Sequence, residues 1–203
     1  MRFLLAACAA LLTPSAAAAA DIQLLIRDQS GAPVRDAVVS LAAPGRPAPP
    51  MRPARTFQVE QKDIKFNPFV LVVPVGADVV FPNRDKVRHH VYSFSKPKKF
   101  ELKLYGREEQ RTVRFDKVGA VAIGCNIHDS MSGFVKVVDT PWAAKTDETG
   151  RAAIGGLPAG PLQLRVWHPR ARAPGNELVQ AIALPAAGRH GKTVVLTLTG
   201  DRS

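Results

Sequence analysis

Cysteine is scarce in this sequence, with only Cys8 and Cys125 among 203 residues. Aromatic residues make up 6%, and 17 acidic residues face 28 basic ones. No apolar run approaches the ~20 residues that a helical membrane span needs. Long stretches of amphipathic helical period are missing as well. These shortages narrow the field. Two cysteines cannot build the multiply bridged scaffold of a small secreted domain. The short apolar runs leave no candidate for a transmembrane helix, and the missing 3.6-residue period argues against a helical fold. The acid deficit gives a formal net charge of +11, which attracts acidic proteins, anionic lipid or nucleic acid. Nucleic acid is the weakest of these, since neither a recognition helix nor an aromatic-basic strand motif is present.

The chain opens with Met1-Arg2, an apolar run from Phe3 to Leu12, and small residues ending in Ala18-Ala19-Ala20 before Asp21. A basic start, a short apolar core and an A-x-A end are the marks of a cleaved secretory signal over residues 1–20. Leu5-Ala6-Ala7-Cys8 has the shape of a lipoprotein cleavage box, but a cut there would leave almost no apolar region before it. The expectation is a periplasmic or otherwise exported protein with no integral membrane segment after cleavage. Its length is enough for one larger domain or two small ones. Cys125 is then the lone thiol. In an oxidising compartment it is a buried bystander, an intermolecular linker, or a reactive or metal-bound sulfur.

What the sequence does have is 17 prolines, 15 glycines and short Val-rich runs, a composition that predicts an all-β fold with many turns. Residues 21–43 read as two strands around the turn Asp28-Gln29-Ser30-Gly31. Residues 44–55 form a Pro-rich linker. Short strands follow from 56 to 139, at Val70–Val73, Val79–Phe81, Val91–Phe94, Arg111–Phe115, Ala120–Ile123 and Gly133–Val138. Their spacing suggests a sandwich or barrel. Beyond residue 140, Ala153–Gly160 and Leu162–Trp167 read as a hairpin-like pair.

The chemistry is concentrated in one segment, Gly124-Cys125-Asn126-Ile127-His128-Asp129-Ser130-Met131. A thiolate, an imidazole and a thioether at three-residue intervals can curl around a single ion, with a strand holding each end. A type 1 copper site needs a thiolate and two imidazole nitrogens in a trigonal set, with a weak axial thioether. The second imidazole is sought in Arg88-His89-His90-Val91. Adjacent strand residues point to opposite faces, so only one of His89 and His90 can face the site, and the sequence leaves that choice open. A thiol enzyme is the rival reading for Cys125, but no helix N-terminus is available to activate the sulfur. Zinc is compatible with some of the set, though a Met ligand and a single Cys favour copper. His168 and His190 do not supply the second, His-rich centre that a catalytic copper enzyme requires, so no catalytic residue is assigned.

Phe81-Pro82-Asn83 followed by His89-His90-Val91 resembles the F-x-N…H-N-V segment of the plastocyanin and amicyanin families of cupredoxins. The closing loop Cys125–Met131 is similar to the short loop of amicyanins. Counted from Asn83, the ligand position falls on His89, and His90 stands where those families carry an Asn. The resemblance covers residues 56–139. It implies a Greek-key cupredoxin domain with one type 1 copper held by His89, Cys125, His128 and Met131, and Asn83 behind the ligands tying the two ligand-bearing loops together. The overall layout also resembles methylamine utilisation-type proteins. Segments 21–43 and 140–200 resemble the two halves of a carboxypeptidase regulatory-like β-sandwich, through D-x-x-G-x-P-V at Asp28 to Val34 and T-D-x-x-G at Thr146 to Gly150. The copper domain would then be an insertion in that sandwich. Electron transfer between protein redox partners is the function implied, with Lys96, Lys98, Lys99, Lys103 and Arg107 placed to steer an acidic one. Copper carriage or storage, and a scaffold module with a non-functional copper site, are the alternatives.

Overall fold

The computed structural model describes residues 19–51, 56–107 and 109–200. Most of the expected signal segment, with Cys8, lies outside the described residues, as do positions 52–55 of the Pro-rich linker. The fold is all-β, and the one helical turn among the described residues is the 3₁₀ segment Pro174–Asn176. Among the described residues seventeen strands succeed one another. The first two are β1 (Ala20–Asp28) and β2 (Val38–Ala42). Residues 56–139 carry β3 (Phe57–Gln58), β4 (Glu60–Lys62), β5 (Lys65–Asn67), β6 (Val70–Pro74), β7 (Ala77–Pro82), β8 (His89–Ser93), β9 (Phe100–Tyr105), β10 (Gln110–Phe115), β11 (Gly119–Gly124) and β12 (Ser132–Val138). The last five are β13 (Ala143–Lys145), β14 (Arg151–Leu157), β15 (Gly160–Trp167), β16 (Glu177–Leu184) and β17 (Gly188–Leu196).

In the middle segment, one sheet runs β6-β12-β11-β8-β9 and a second β10-β7-β3, with the hairpin β4-β5 beside them. Alternating side chains of both sheets meet in a core that includes Val79, Phe81, Val91, Tyr105, Phe115, Val121, Ile123 and Val135. Cys125 and Met131 belong to that same core. Burying apolar surface at roughly 25 cal/mol per Å² makes such a two-faced core the main stabilising element of a β-sandwich.

The flanking segments form two further sheets, β14-β1-β17 and β13-β2-β15-β16. Ile22, Leu24 and Ile26 of β1 meet Val39 and Leu41 of β2, Leu162, Leu164 and Val166 of β15, and Val194 and Leu196 of β17 in a separate core. Two expectations are corrected here. β1 and β2 are strands, but they do not pair, because the connection between them crosses from one sheet to the other. The hairpin expected of β14 and β15 fails in the same way, since β14 pairs with β1, and β15 with β2 and β16. Crossing between sheets lets both strands of each couple point their apolar faces into one core. Adjacent hairpin pairing would have put them side by side in a single layer.

β2 is buried on both faces. Val39 and Leu41 face the flanking core, while Val38 joins Val70, Val138 and Trp167 in a third apolar cluster. Phe134 of β12 meets Trp167 edge-on at 5.6 Å between ring centroids. Beside them the Lys136 ammonium pairs with Glu177 at 2.7 Å and lies 5.4 Å over the Trp167 ring. The outer face of β6 and β12 is thereby covered by the flanking strands.

Candidate metal centre

β8 starts at His89, and strand alternation sends His89, Val91 and Ser93 to the inner face while His90 and Tyr92 take the outer one. His89 is fully buried, and its Nδ1 lies 3.9 Å from Cys125 Sγ. His128 Nδ1 lies 3.8 Å from the same sulfur. The two imidazole rings are 5.0 Å apart at their centroids, and the three donor atoms all fall within 4.8 Å of one another. Metal bonds of about 2.0–2.3 Å put nitrogen and sulfur donors about 3.6–3.8 Å apart across one ion. The geometry therefore suits one shared ion.

The short loop from Cys125 is closed by its own backbone. Cys125 N–H donates to the Met131 carbonyl at 3.2 Å, and Met131 N–H donates to the His128 carbonyl at 2.8 Å. β11 and β12, paired from Gly119↔Val137 to Gly124↔Ser132, hold both ends. Met131 is buried in the same core as Cys125, and His128 is half-buried. A thiolate, two imidazoles and a neighbouring thioether form a soft donor set that suits copper.

The choice between the two histidines is decided by direction. His90 Nε2 meets Glu101 Oε1 at 2.9 Å on the outer face, so His90 is not part of the cluster. His89 is held from behind by a carboxylate that sequence reasoning missed. Asp85 Oδ2 lies 2.7 Å from His89 Nε2. The same carboxylate accepts the backbone N–H of Asp63 at 2.7 Å and of Ile64 at 3.1 Å. Both of those residues have positive φ, 54° and 55°, so Asp85 also satisfies the strained turn between β4 and β5. Burial raises the Asp85 carboxyl, but the hydrogen bonds from His89, Ile64 and Asp63 outweigh it and leave the group below its usual range. A carboxylate accepting from Nε2–H fixes the tautomer and leaves Nδ1 bare towards Cys125. The signal was present in the sequence as an acid four residues before His89.

Asn83 is buried in the turn before β8, but it does not join the two ligand-bearing loops. Its amide donates to Val87 O at 2.9 Å and Tyr105 O at 3.1 Å, and its Oδ1 accepts from Asp85 N–H at 2.8 Å. All of these bonds serve its own loop and the end of β9, so Asn83 acts by holding Asp85 and His89 in place. Two more unforeseen residues complete this floor. Tyr105 donates its hydroxyl to Phe81 O at 2.8 Å and accepts from Gln61, and burial pushes its hydroxyl up to about 12.

Three of the five basic residues expected to steer a partner lie away from the ligands. Lys96, Lys98 and Lys99 lie in the β8–β9 connection, whose Pro97 packs over Gly119 at the start of β11, the end remote from Cys125. Arg107 follows the end of β9, where Tyr105 pairs with His89, and Lys86 and Arg88 flank the half-exposed Val87 just before His89, with half-exposed Ile127 next to His128. His168 and His190 stay outside the cluster. His168 is lowered to about 4 by burial and by Arg170, against an opposing pull from Asp36.

No family model matches the chain, and no curated protein does either. Among solved structures, the chain is similar to a Cu-containing nitrite reductase from Thermus scotoductus SA-01, at 26% identity and a TM-score of 0.40 over 49% of this chain and 25% of that one. It is similar to a mutant of amicyanin in its reduced state, at 24% identity and a TM-score of 0.38 over 41% of this chain and 82% of that one. A purple cupredoxin from Nitrosopumilus maritimus is 23% identical, with a TM-score of 0.37 over 40% of this chain and 99% of that one. The chain spans a quarter of the length of the nitrite reductase.

Proposed function

We propose that this chain is an exported type 1 copper protein that carries single electrons between protein redox partners in the periplasm. His89, Cys125 and His128 would hold the ion, with Met131 as the weak axial ligand. The observation that carries the reading is the convergence of two imidazole Nδ1 atoms on one buried thiol at 3.9 and 3.8 Å. Copper bound there would alternate between Cu(I) and Cu(II). The residues around it favour that role. Asp85 orients His89, the backbone bonds of the Cys125–Met131 loop restrain the other donors, and the apolar core keeps water from the sulfur. A site restrained in this way changes little between oxidation states, which lowers the reorganisation that electron transfer requires. Half-exposed His128, next to half-exposed Ile127, is the ligand nearest the surface and the port for electrons. Small transient interfaces of this kind suit redox encounters. We further propose that 21–43 and 140–200 make one discontinuous domain with 56–139 inserted in it, a reading supported by the core those flanking strands share.

Voltammetry of the copper-loaded protein, beside a competition with a Cu(I) chelator, separates electron transfer from carriage. A reversible one-electron wave with slow chelator capture is expected. Rapid loss of Cu(I) with no reversible wave would favour copper carriage and overturn the proposal.

A further inference from the structure

The hairpin β4-β5 belongs to neither main sheet of the middle segment. Lys62 pairs with Lys65, so Asp63 and Ile64 alone make its turn. Both have positive φ, 54° and 55°, as a two-residue type I′ turn requires and as Asn-Gly adopts readily. A β-branched residue in that region is a steric outlier. Burial does not hold it there, since Ile64 is 42% exposed. Strain of this kind persists only where the surrounding structure over-determines it, and it gathers where geometry is in use. What holds this turn is the loop that leads into His89. Asp63 N–H donates to Asp85 Oδ1 at 2.7 Å and Ile64 N–H to Oδ2 at 3.1 Å. The same Oδ2 meets His89 Nε2 at 2.7 Å. Behind the turn, Gln61 clamps the start of this loop. Its carbonyl accepts Arg84 N–H at 2.8 Å, and its side-chain amide donates to Phe81 O at 3.3 Å. Every one of these bonds runs from the hairpin to the chain just before His89.

Resting on the copper reading above, we propose that the β4-β5 turn is a splint for His89, with Asp63 and Ile64 as positioning residues that act through Asp85. Successive N–H groups presented by a turn make a concavity that holds an anion. Here one N–H fixes each carboxylate oxygen, so the plane of the carboxylate is set as well as its place. The Asp85 side chain is 13% exposed. Without the two amides it is free to rotate about its Cβ–Cγ bond or to swing towards water. With them, Oδ2 stays aimed at Nε2, and Nδ1 of the same ring stays aimed at Cys125. The orientation and basicity of a metal-binding imidazole follow the bond its other nitrogen makes. A turn that touches no ligand therefore contributes to the reduction potential and to a ligand geometry that holds in both oxidation states. Only the N–H groups at 63 and 64 take part, and their side chains do not.

Two readouts test the proposal. The first is hydrogen exchange in the copper-free protein, followed by NMR. The Asp63 and Ile64 amides should exchange slowly although both residues lie in an exposed turn, and quickly in Asp85→Ala. Exchange at the rate of free amides in the unaltered protein, or slow exchange that persists in Asp85→Ala, would overturn the splint. The second readout is the reduction potential of the copper-loaded protein with two glycines inserted between Asp63 and Ile64. Exposed loops tolerate such lengthening, and it draws the amides away from Asp85. The insertion should shift the potential in the same direction as Asp85→Asn and add nothing in an Asp85→Asn background, as expected of groups that act through one another. Ile64→Gly, which keeps the turn and both N–H groups, should leave the potential unchanged. An insertion without effect, or one whose shift is the same with and without Asp85→Asn, would overturn the proposal. Failure of the copper reading is distinguishable, because a chain that binds no copper still reports the hairpin's hold on Asp85 through the exchange rates.

Discussion

At the scale of single residues, the site rests on direction more than on composition. His89 and His90 are chemically identical and adjacent in sequence, yet only His89 points at Cys125, with His90 bound to Glu101 on the other face. His90→Asn should therefore leave the copper spectrum intact, whereas His89→Asn should abolish the thiolate band. Asp85→Asn retains the shape but removes the negative charge behind His89. It should make the reduction potential more positive, because a less electron-rich imidazole stabilises Cu(II) less. An unchanged potential would deny Asp85 that influence. Cys125 and His128 were singled out by their spacing, and the fold brings both beside His89. Asp85 and Gln61 were not singled out, because their roles come from contacts across the fold, to Asp63, Ile64 and Tyr105.

At the scale of elements, strand positions followed from the apolar alternation, as in Ile22, Leu24 and Ile26 of β1. Pairing did not follow. Alternation says which face a residue takes but not which strand lies beside it, so β1 with β2, and β14 with β15, read as neighbours although each couple straddles two sheets. β9 was not among the strands expected, although Phe100, Leu102 and Leu104 alternate with Glu101 and Lys103, and β17 was missed because its first half is polar and glycine-bearing. The turn motif T-D-x-x-G at Thr146 to Gly150 has a clear structural reason. Asp147 Oδ1 accepts from Thr149 N–H at 2.8 Å and Arg151 N–H at 3.0 Å, and Gly150 has φ 75°. A Cβ there would sit 2.4 Å from the Ile26 carbonyl oxygen. Gly150→Ala should cost about 2 kcal/mol or more, read as a lower denaturant midpoint. A change within about 0.5 kcal/mol would show that the turn relaxes freely.

At the scale of the whole molecule, the two cores are joined through Trp167, Phe134 and the Lys136–Glu177 pair. Trp167→Ala should destabilise the protein by about 3–5 kcal/mol, measured by denaturant unfolding, while leaving the copper spectrum of the folded fraction unchanged. His168, next to Trp167, gives the fold a pH dependence. Its folded value of about 4 lies below its unfolded value of about 6.5. The unfolded chain thus binds the extra proton first as pH falls. His168 makes no pH-dependent penalty above pH ~6.5, and stability declines between pH ~6.5 and ~4, by at most roughly 3 kcal/mol. The melting temperature of His168→Gln should fall less over that window. An identical slope in both proteins would remove His168 as the cause. None of this coupling was visible in the sequence, because it depends on packing between strands more than 30 residues apart in the chain, such as Val138 against Val38 and Trp167 against Phe134.

The central claim is that one copper sits between His89, Cys125, His128 and Met131. Its most direct test is the visible and EPR spectrum of the purified protein after addition of Cu(II), beside Cys125→Ser. An intense thiolate-to-Cu(II) charge-transfer band with narrow copper hyperfine splitting, absent from the variant, is the result predicted. A spectrum with no thiolate band, or one that Cys125→Ser leaves unchanged, would contradict the site.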